Sequence, residues 1–588
     1  MLLNAIRFGV GVLVLVTSPV LLGTAIGQTS QNAALSKLDM SLAASVREGD
    51  SGWKRVIIQT SRDDVPLLAG LLYARGNIVG RVHPSISGLT ALVSASELAV
   101  LAQIPSVKAI SVDAVVTATQ TTPPSNTTAT PFTLRATLGL PINTPKGQGV
   151  GVAVIDSGIE PGREFEDRIF RFYDFTASGG TSTPTDDYGH GTHVAGLIAG
   201  EGASQTKYRG VAPSTRLIVL KVLDGNGAGY TSDVISAIEF VTAKRAALGV
   251  DVINLSLGHP ILEPAETDPL VQAVEAAVRA GTVVVVAAGN YGISQQTGDP
   301  GYAGIVSPAN ARSAIAVGSA RTFETNVRSD DRVATYSSRG PSWYDGFAKP
   351  DVIAPGHRLV SVAAQASRLY LEHPELRVGS SYLRLSGTSM AAGVVSGTVA
   401  LLLEANPSLT ANAIKAILEV TAFRMHDDAG VEYDFLTQGA GAVNPAGAIA
   451  LAAQIDTSAP LSAPWLVATV DPYTTIDGET LAWAQNIVWG NTAGYGFAME
   501  TNEPAWAANI VWGNNIVWGN NIVWGNNIVW GNNIVWGNNI VWGNSLLGAV
   551  DGADIVWGTA GSSPELTIWG NLDGSMTSAG FFLTLFSF

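Results

Sequence analysis

Residues 150–158 read Val-Gly-Val-Ala-Val-Ile-Asp-Ser-Gly. A short, nearly unbroken apolar run that ends abruptly in a carboxylate is the pattern of a strand buried on both faces of a parallel sheet. Asp156 then stands at the strand's carboxyl end, where open α/β sheets bind ligands. Residues 216–222, 252–257 and 283–288 repeat the pattern, and helical periodicity fills 231–247 and 270–279 between them. The expected fold class of residues 131–455 is α/β, a doubly wound and mainly parallel sheet.

Two further motifs place a polar residue where a helix begins. Residues 189–196 read Gly-His-Gly-Thr-His-Val-Ala-Gly, a glycine-bracketed His190 leading into an apolar helix. Residues 386–392 read Ser-Gly-Thr-Ser-Met-Ala-Ala, with Ser389 at the mouth of an apolar helix that reaches Leu403. Each has an ordinary structural explanation by itself: a turn-capping Asp, a structural His in a Gly-rich turn, an N-cap Ser. Together, in the order Asp, His, Ser, they match one of the chain orders in which a nucleophile, a base and an orienting carboxylate meet. A serine hydroxyl needs a base to take its proton at neutral pH, an imidazole with a reference pKa near ~6.5 can take it, and a carboxylate steadies the resulting charge.

On these signatures, Val-Ile-Asp-Ser-Gly, His-Gly-Thr-His-Val-Ala-Gly and Gly-Thr-Ser-Met-Ala, the chain resembles the subtilisin-like serine proteases of the S8 family. The resemblance covers about 325 residues, ending near Gly439–Asn444. It implies a serine endopeptidase with Asp156, His190 and Ser389 as catalytic residues. It implies an oxyanion donor at Asn290, which closes the apolar run Ala287-Ala288-Gly289-Asn290. It also implies that Ser256, Leu257 and Gly258 pair with a substrate backbone as an added strand, and that His193 is a supporting residue rather than a metal ligand. The resemblance further implies that no cofactor is required for the chemistry and that structural calcium accompanies the fold. The chain departs from the family after Ser389, where Gly393 and Val394 replace the usual Pro-His.

Upstream, Arg7 precedes an apolar run from Phe8 to Gly23, and Ala25-Ile26-Gly27 offers small residues for cleavage, so residues 1–27 read as a signal peptide. No later segment reaches spanning length, and a secreted or cell-surface, bacterial protein with no transmembrane helix in its mature form is expected. Residues 28–116 alternate strand-like and helical stretches, and are similar to the family's small α+β propeptide, which makes the chain's own propeptide an expected partner beside protein or peptide substrates. Residues 117–130, Thr-rich and broken by Pro123-Pro124, read as an exposed linker.

The 588 residues include 33 Lys plus Arg, 48 Asp plus Glu and no cysteine. The net charge of −15 argues against nucleic-acid binding, and the absence of cysteine removes disulfides and thiolate sites. Residues 456–588 hold ten acidic side chains and no Lys or Arg, so a boundary is expected near 455. This acidic, Trp/Asn-rich region carries Asn-Ile-Val-Trp-Gly-Asn six times in tandem over 509–544. A period of six keeps every Trp on one face of an extended chain and scatters them around a helix, so the region is expected to be repetitive and β-rich. It is compatible with a flexible tract, with a module that self-associates or binds a surface or carbohydrate, and with a secretion or retention signal. The alternative to an active protease is a catalytically weak or inactive surface adhesion or structural protein acting through these repeats.

Overall fold

The computed structural model describes residues 35–494, apart from 121–132, 142, 178, 295–296, 459–465, 486 and 490–491. The signal-peptide reading and the hexads of 509–544 lie outside the described residues. The chain divides into two units, one holding the described residues through Val82 with Ser87–Val112, the other His83–Ile86 with the residues from Asp113 on.

The first unit runs α1 (Met40–Arg47), β1 (Trp53–Gln59), α2 (Val65–Ala74), β2 (Ile78–His83), β3 (Gly88–Ser94), α3 (Ala95–Ala102) and β4 (Ala109–Val112). Its four strands form one sheet in the order β2-β3-β1-β4, with β1 antiparallel to both β3 and β4. Alternation sends Val56 and Ile58 to one face, where they meet Leu68 and Leu72 of α2, Leu98 and Leu101 of α3, and Leu89 and Val93 of β3. The Asp39 carboxylate caps α1 by accepting the Leu42 N–H at 2.9 Å.

The second unit is built on a parallel sheet. Its strands include β5 (Val115–Ala118), β6 (Gly151–Asp156), β7 (Ile169–Asp174), β8 (Arg216–Lys221), β9 (Ala228–Tyr230), β10 (Val252–Leu255), β11 (Leu257–Pro260), β12 (Val283–Ala287), β13 (Ile315–Arg321) and β14 (Val352–Pro355). The central order is β13-β12-β10-β6-β8-β7, every pair parallel, and β14 adds in parallel to β13. Strands β6, β10 and β12 are buried at every position, as their unbroken apolar runs require. Helices α4 (His190–Ala199), α5 (Thr231–Ala243), α6 (Pro269–Arg279) and α7 (Thr388–Ala405) belong to this unit.

Helix α7 is long and apolar enough to cross a membrane, but it is a core helix. Residues 388–402 are all buried, against α4 and strands β10, β12 and β13. A helix enclosed on every side needs apolar residues all round rather than a stripe.

The ends of this unit differ from the sequence expectation. The stretch 117–130 opens as structure: Thr117 and Ala118 finish β5, which lies antiparallel between β9 and β11, and Thr119 is buried. A Thr-rich segment satisfies its backbone here by pairing with two neighbouring edges, which composition cannot show. At the other end, the charge shift near 455 does not end the packing. Residues Tyr473–Ile476 and Glu479–Ala482 form a hairpin. The Glu479 carboxylate accepts the Arg328 and Ser329 N–H groups, and the Ala484 N–H donates to the Ala422 carbonyl at 2.6 Å. Beyond it, Ile487–Trp489, from a single copy of the repeated hexad, is a strand antiparallel to Thr492–Gly494.

Gly393 lies inside α7, where a β-carbon would stand 3.4 Å from Val194 Cγ1 and the Val194 carbonyl of α4, ordinary contact distances. Replacing a mid-helix glycine by alanine relieves a backbone entropy cost of about 0.5–1 kcal/mol. Gly393→Ala should therefore raise unfolding stability by that amount, read by thermal or denaturant unfolding; a loss of stability would show that α4 and α7 are too close for a methyl group.

Candidate active site

Four neighbouring elements deliver the polar residues of one rim. Strand β6 ends in Asp156, α4 begins with His190, α7 begins with Thr388 and Ser389, and Asn290 follows β12 after a glycine at φ +109°. Gly191 makes the approach of α4 to β6 possible, because a β-carbon there would stand 2.3 Å from the Gly158 carbonyl oxygen.

Asp156 and His190 are fully buried and joined: His190 Nδ1 lies 2.7 Å from Asp156 Oδ1. The same oxygen accepts the Ser157 N–H at 2.7 Å. Nδ1–H facing a carboxylate leaves Nε2 as the basic nitrogen of a neutral imidazole. His190 Nε2 is buried and has no hydrogen-bond partner. Ser389 Oγ is not paired with it; the hydroxyl donates to the Ser256 carbonyl at 2.9 Å and lies 2.7 Å from Thr119 Oγ1. The structure thus pairs the acid with the base and directs the hydroxyl elsewhere.

Asn290 is aimed by Thr388, whose N–H and hydroxyl both lie 3.1 Å from Asn290 Oδ1 and donate to it. Its Nδ2 is left buried and unpartnered. A β-carbon on Gly387 would meet both this nitrogen, at 3.3 Å, and the Thr119 carbonyl oxygen, at 2.5 Å, so the amide and the carbonyl flank one small space. The Ser389 N–H donates to that carbonyl oxygen at 3.3 Å. The Ser389 N–H reaches this oxygen, and the unpartnered Asn290 Nδ2 stands near the same space, so the pair can stabilise negative charge that develops there.

Ser256, Leu257 and Gly258 lie beside the chain's own strand. Leu257 pairs with Ala118 and Gly258 with Thr117, while the Ser256 carbonyl accepts the Thr119 N–H at 3.3 Å. On the opposite edge, Ala228, Gly229 and Tyr230 of β9 pair with Thr117, Val116 and Val115.

Several supporting residues escaped the sequence reading. Asn254 links Ser396 of α7, whose hydroxyl donates to its Oδ1 at 2.8 Å, to Ser256 Oγ at 2.9 Å; Ser256 Oγ then donates to the Ser389 carbonyl at 3.0 Å. A polar residue within an otherwise apolar strand run was the available signal. Asp186 accepts from the Ser157 hydroxyl, the Gly189 and Thr192 N–H groups and the Thr192 hydroxyl at 2.6–2.8 Å, capping α4 from outside it. Tyr188 accepts from Gln120 Nε2 at 2.8 Å, and burial pushes its phenol upward from the ordinary value.

His193 sits one turn into α4 and faces away from this chemistry. Its Nε2–H is shared between the Leu359 and Leu383 carbonyls at 3.3 and 3.2 Å. Burial, with His190 nearby, lowers its pKa to about 3, so it stays neutral. Among the described residues no three His, Asp or Glu side chains gather to hold a metal ion. The buried Glu164 carboxylate is filled by donors, the Gly202, Ala203 and Ser204 N–H groups and the Tyr382 hydroxyl, which leaves it unfit for a cation.

The Subtilase family matches residues 147–441, half of the chain. Serine protease AprX of Bacillus subtilis is 41% identical over 307 residues, 51% of this chain and 66% of that protein. Subtilisin DY of Bacillus licheniformis is 38% identical over 282 residues, 48% of this chain and 86% of that protein. Among solved structures, fervidolysin from Fervidobacterium pennivorans superposes with a TM-score of 0.53 at 23% identity, over 69% of this chain and 62% of that one, a likeness of fold. With a parallel sheet that carries an Asp–His pair, a helix-borne serine and an aimed asparagine on one rim, the chain belongs to the subtilase family, and residues 147–441 are its serine endopeptidase domain.

Proposed function

We propose that the protein is an exported serine endopeptidase that hydrolyses protein or peptide substrates through an acyl-enzyme on Ser389, with residues 28–116 as its propeptide. One observation carries this reading: a peptide carbonyl, that of Thr119, lies against the Ser389 N–H and near the unpartnered Asn290 Nδ2, on the rim that holds the buried Asp156–His190 pair. Export rests on the apolar N-terminal run of the sequence alone.

In this mechanism a substrate strand lies between β9 and β11 and takes the backbone pairing that β5 takes in the structure. Ser389 Oγ turns to His190 Nε2, gives up its proton and bonds to the substrate carbonyl carbon. The carbonyl oxygen becomes negative, and the Asn290 amide and the Ser389 N–H stabilise it. Asp156 holds the imidazole in the tautomer that can accept the proton and steadies the imidazolium that results. His190 passes the proton to the leaving amine as the C–N bond breaks. Water then repeats the sequence on the acyl-enzyme and restores Ser389. Calcium has no part in these steps.

Asn290→Ala should lower kcat by about 10²–10³-fold with little change in KM, the range for one oxyanion donor, for which subtilisin is itself the type case. A loss spread equally over KM would place the side chain in substrate binding instead. A fluorophosphonate probe should label Ser389 in the processed protein and leave Ser389→Ala unlabelled. Absence of labelling in the wild type, with a folded chain by circular dichroism, would overturn the proposed function.

A further inference from the structure

The segment leading away from β5 is seated in the rim as a reactant would be. Thr117 and Ala118 pair with Gly258 and Leu257, the Thr119 N–H donates to the Ser256 carbonyl, and the Thr119 carbonyl takes the Ser389 N–H. Gln120, on the far side of the same peptide bond, donates from Nε2 to Tyr188 Oη at 2.8 Å. Gly387 backs the bond closely, since a β-carbon there would stand 2.5 Å from the Thr119 oxygen and 2.9 Å from Gln120 Cα. Both residues flanking one peptide bond are therefore held, with the Thr119 carbonyl on the Ser389 N–H and the unpartnered Asn290 Nδ2 close by.

The Thr119 side chain adds a contact that backbone pairing does not require. Ser389 has one hydroxyl proton, directed at the Ser256 carbonyl at 2.9 Å. The Thr119 hydroxyl, 2.7 Å from Ser389 Oγ and 3.5 Å from the Ser256 oxygen, then donates to Ser389. One lone pair of the nucleophile is occupied, its proton points away from the base, and His190 Nε2 stands without a partner.

We propose that the peptide bond between Thr119 and Gln120 is the one the enzyme cleaves in its own chain, and that the Thr119 hydroxyl slows this first cut by holding Ser389 off His190. The proposal rests on the endopeptidase function and names one substrate and one restraint of that same site. For cleavage, Ser389 Oγ must break its hydrogen bonds to Ser256 and Thr119 and turn to His190. Ser389 Oγ then bonds to the Thr119 carbonyl carbon, its proton passes through His190 Nε2 to the Gln120 nitrogen, and the C–N bond breaks. Water hydrolyses the ester, leaving Thr119 with a free carboxylate and Gln120 as a new N-terminus.

The test uses the full chain, freshly folded, with mass spectrometry of the products over time. Wild type should yield a mature chain beginning at Gln120, free or cyclised to pyroglutamate. Thr119→Val keeps the shape and removes the donor, so it should process faster by about 2- to 10-fold, the reach of one hydrogen bond. Thr119→Ser keeps the hydroxyl and should stay within about twofold of wild type on the same scale. A dominant N-terminus elsewhere would overturn the assignment of the bond, and a Thr119→Val chain no faster than Thr119→Ser would overturn the restraint. Fluorophosphonate labelling of the same samples separates the two levels: labelled Ser389 with a different N-terminus defeats this inference alone, whereas unlabelled Ser389 in the folded wild type defeats the function beneath it.

Discussion

A line of buried hydrogen bonds, from Ser396 through Asn254 and Ser256 to the Ser389 backbone, ties the central helix to the central strand. Helix α7 is apolar on all sides, and apolar contacts are nondirectional, so they alone would tolerate sliding along its axis. Polar atoms buried in that setting are costly unless paired, and only one axial position pairs all of them. The network therefore fixes where the first turn of α7 emerges from the sheet, and with it Thr388 and Ser389. Thr388 in turn sets the orientation of Asn290, so the oxyanion donors depend on the same anchor.

The other half of the rim has its own support. The buried Asp156 carboxylate is held by the Ser157 N–H and by His190, and the Ser157 hydroxyl is spent on Asp186, which caps the helix that carries His190. The acid and base are thus fixed through β6 and α4, whereas the nucleophile is fixed through β10 and α7. The two halves meet at Ser389 Oγ, whose hydroxyl is held by Ser256 and Thr119 rather than by His190. That division accounts for a structure in which the Asp–His bond is short while the serine engages Thr119 and Ser256. A chain lying across its own rim needs only one side chain to hold the hydroxyl aside, with no change in the framework.

Local sequence was a sound guide where periodicity and burial agreed. The apolar runs at 150–155, 216–222 and 283–288 became β6, β8 and β12 because a doubly covered parallel strand leaves no room for polar alternation. The helix over 270–279 followed from its spacing in the same way. Composition was a poorer guide to boundaries. Thr117–Thr119 looked like linker because threonine is polar, yet two strand edges satisfy that backbone. Residues 471–485 looked like tail because positive charge ends, yet Trp483 and Ala484 are buried and Glu479 caps a loop of the same unit.

What the sequence determined was the strands and helices that carry the polar groups, which are local patterns, and, through the resemblance of its three motifs taken together, the kind of chemistry expected of them. The tertiary structure decided which of those groups are bonded to which. It joined Asp156 to His190 across 34 positions and set Thr119 against Ser389 across 270. It also recruited Asn254, Asp186, Tyr188 and Ser396, each of which looks like an ordinary polar residue in its own neighbourhood. Hydrogen bonds act over about 3 Å, and a separation that short between distant residues exists only once the sheet has been assembled.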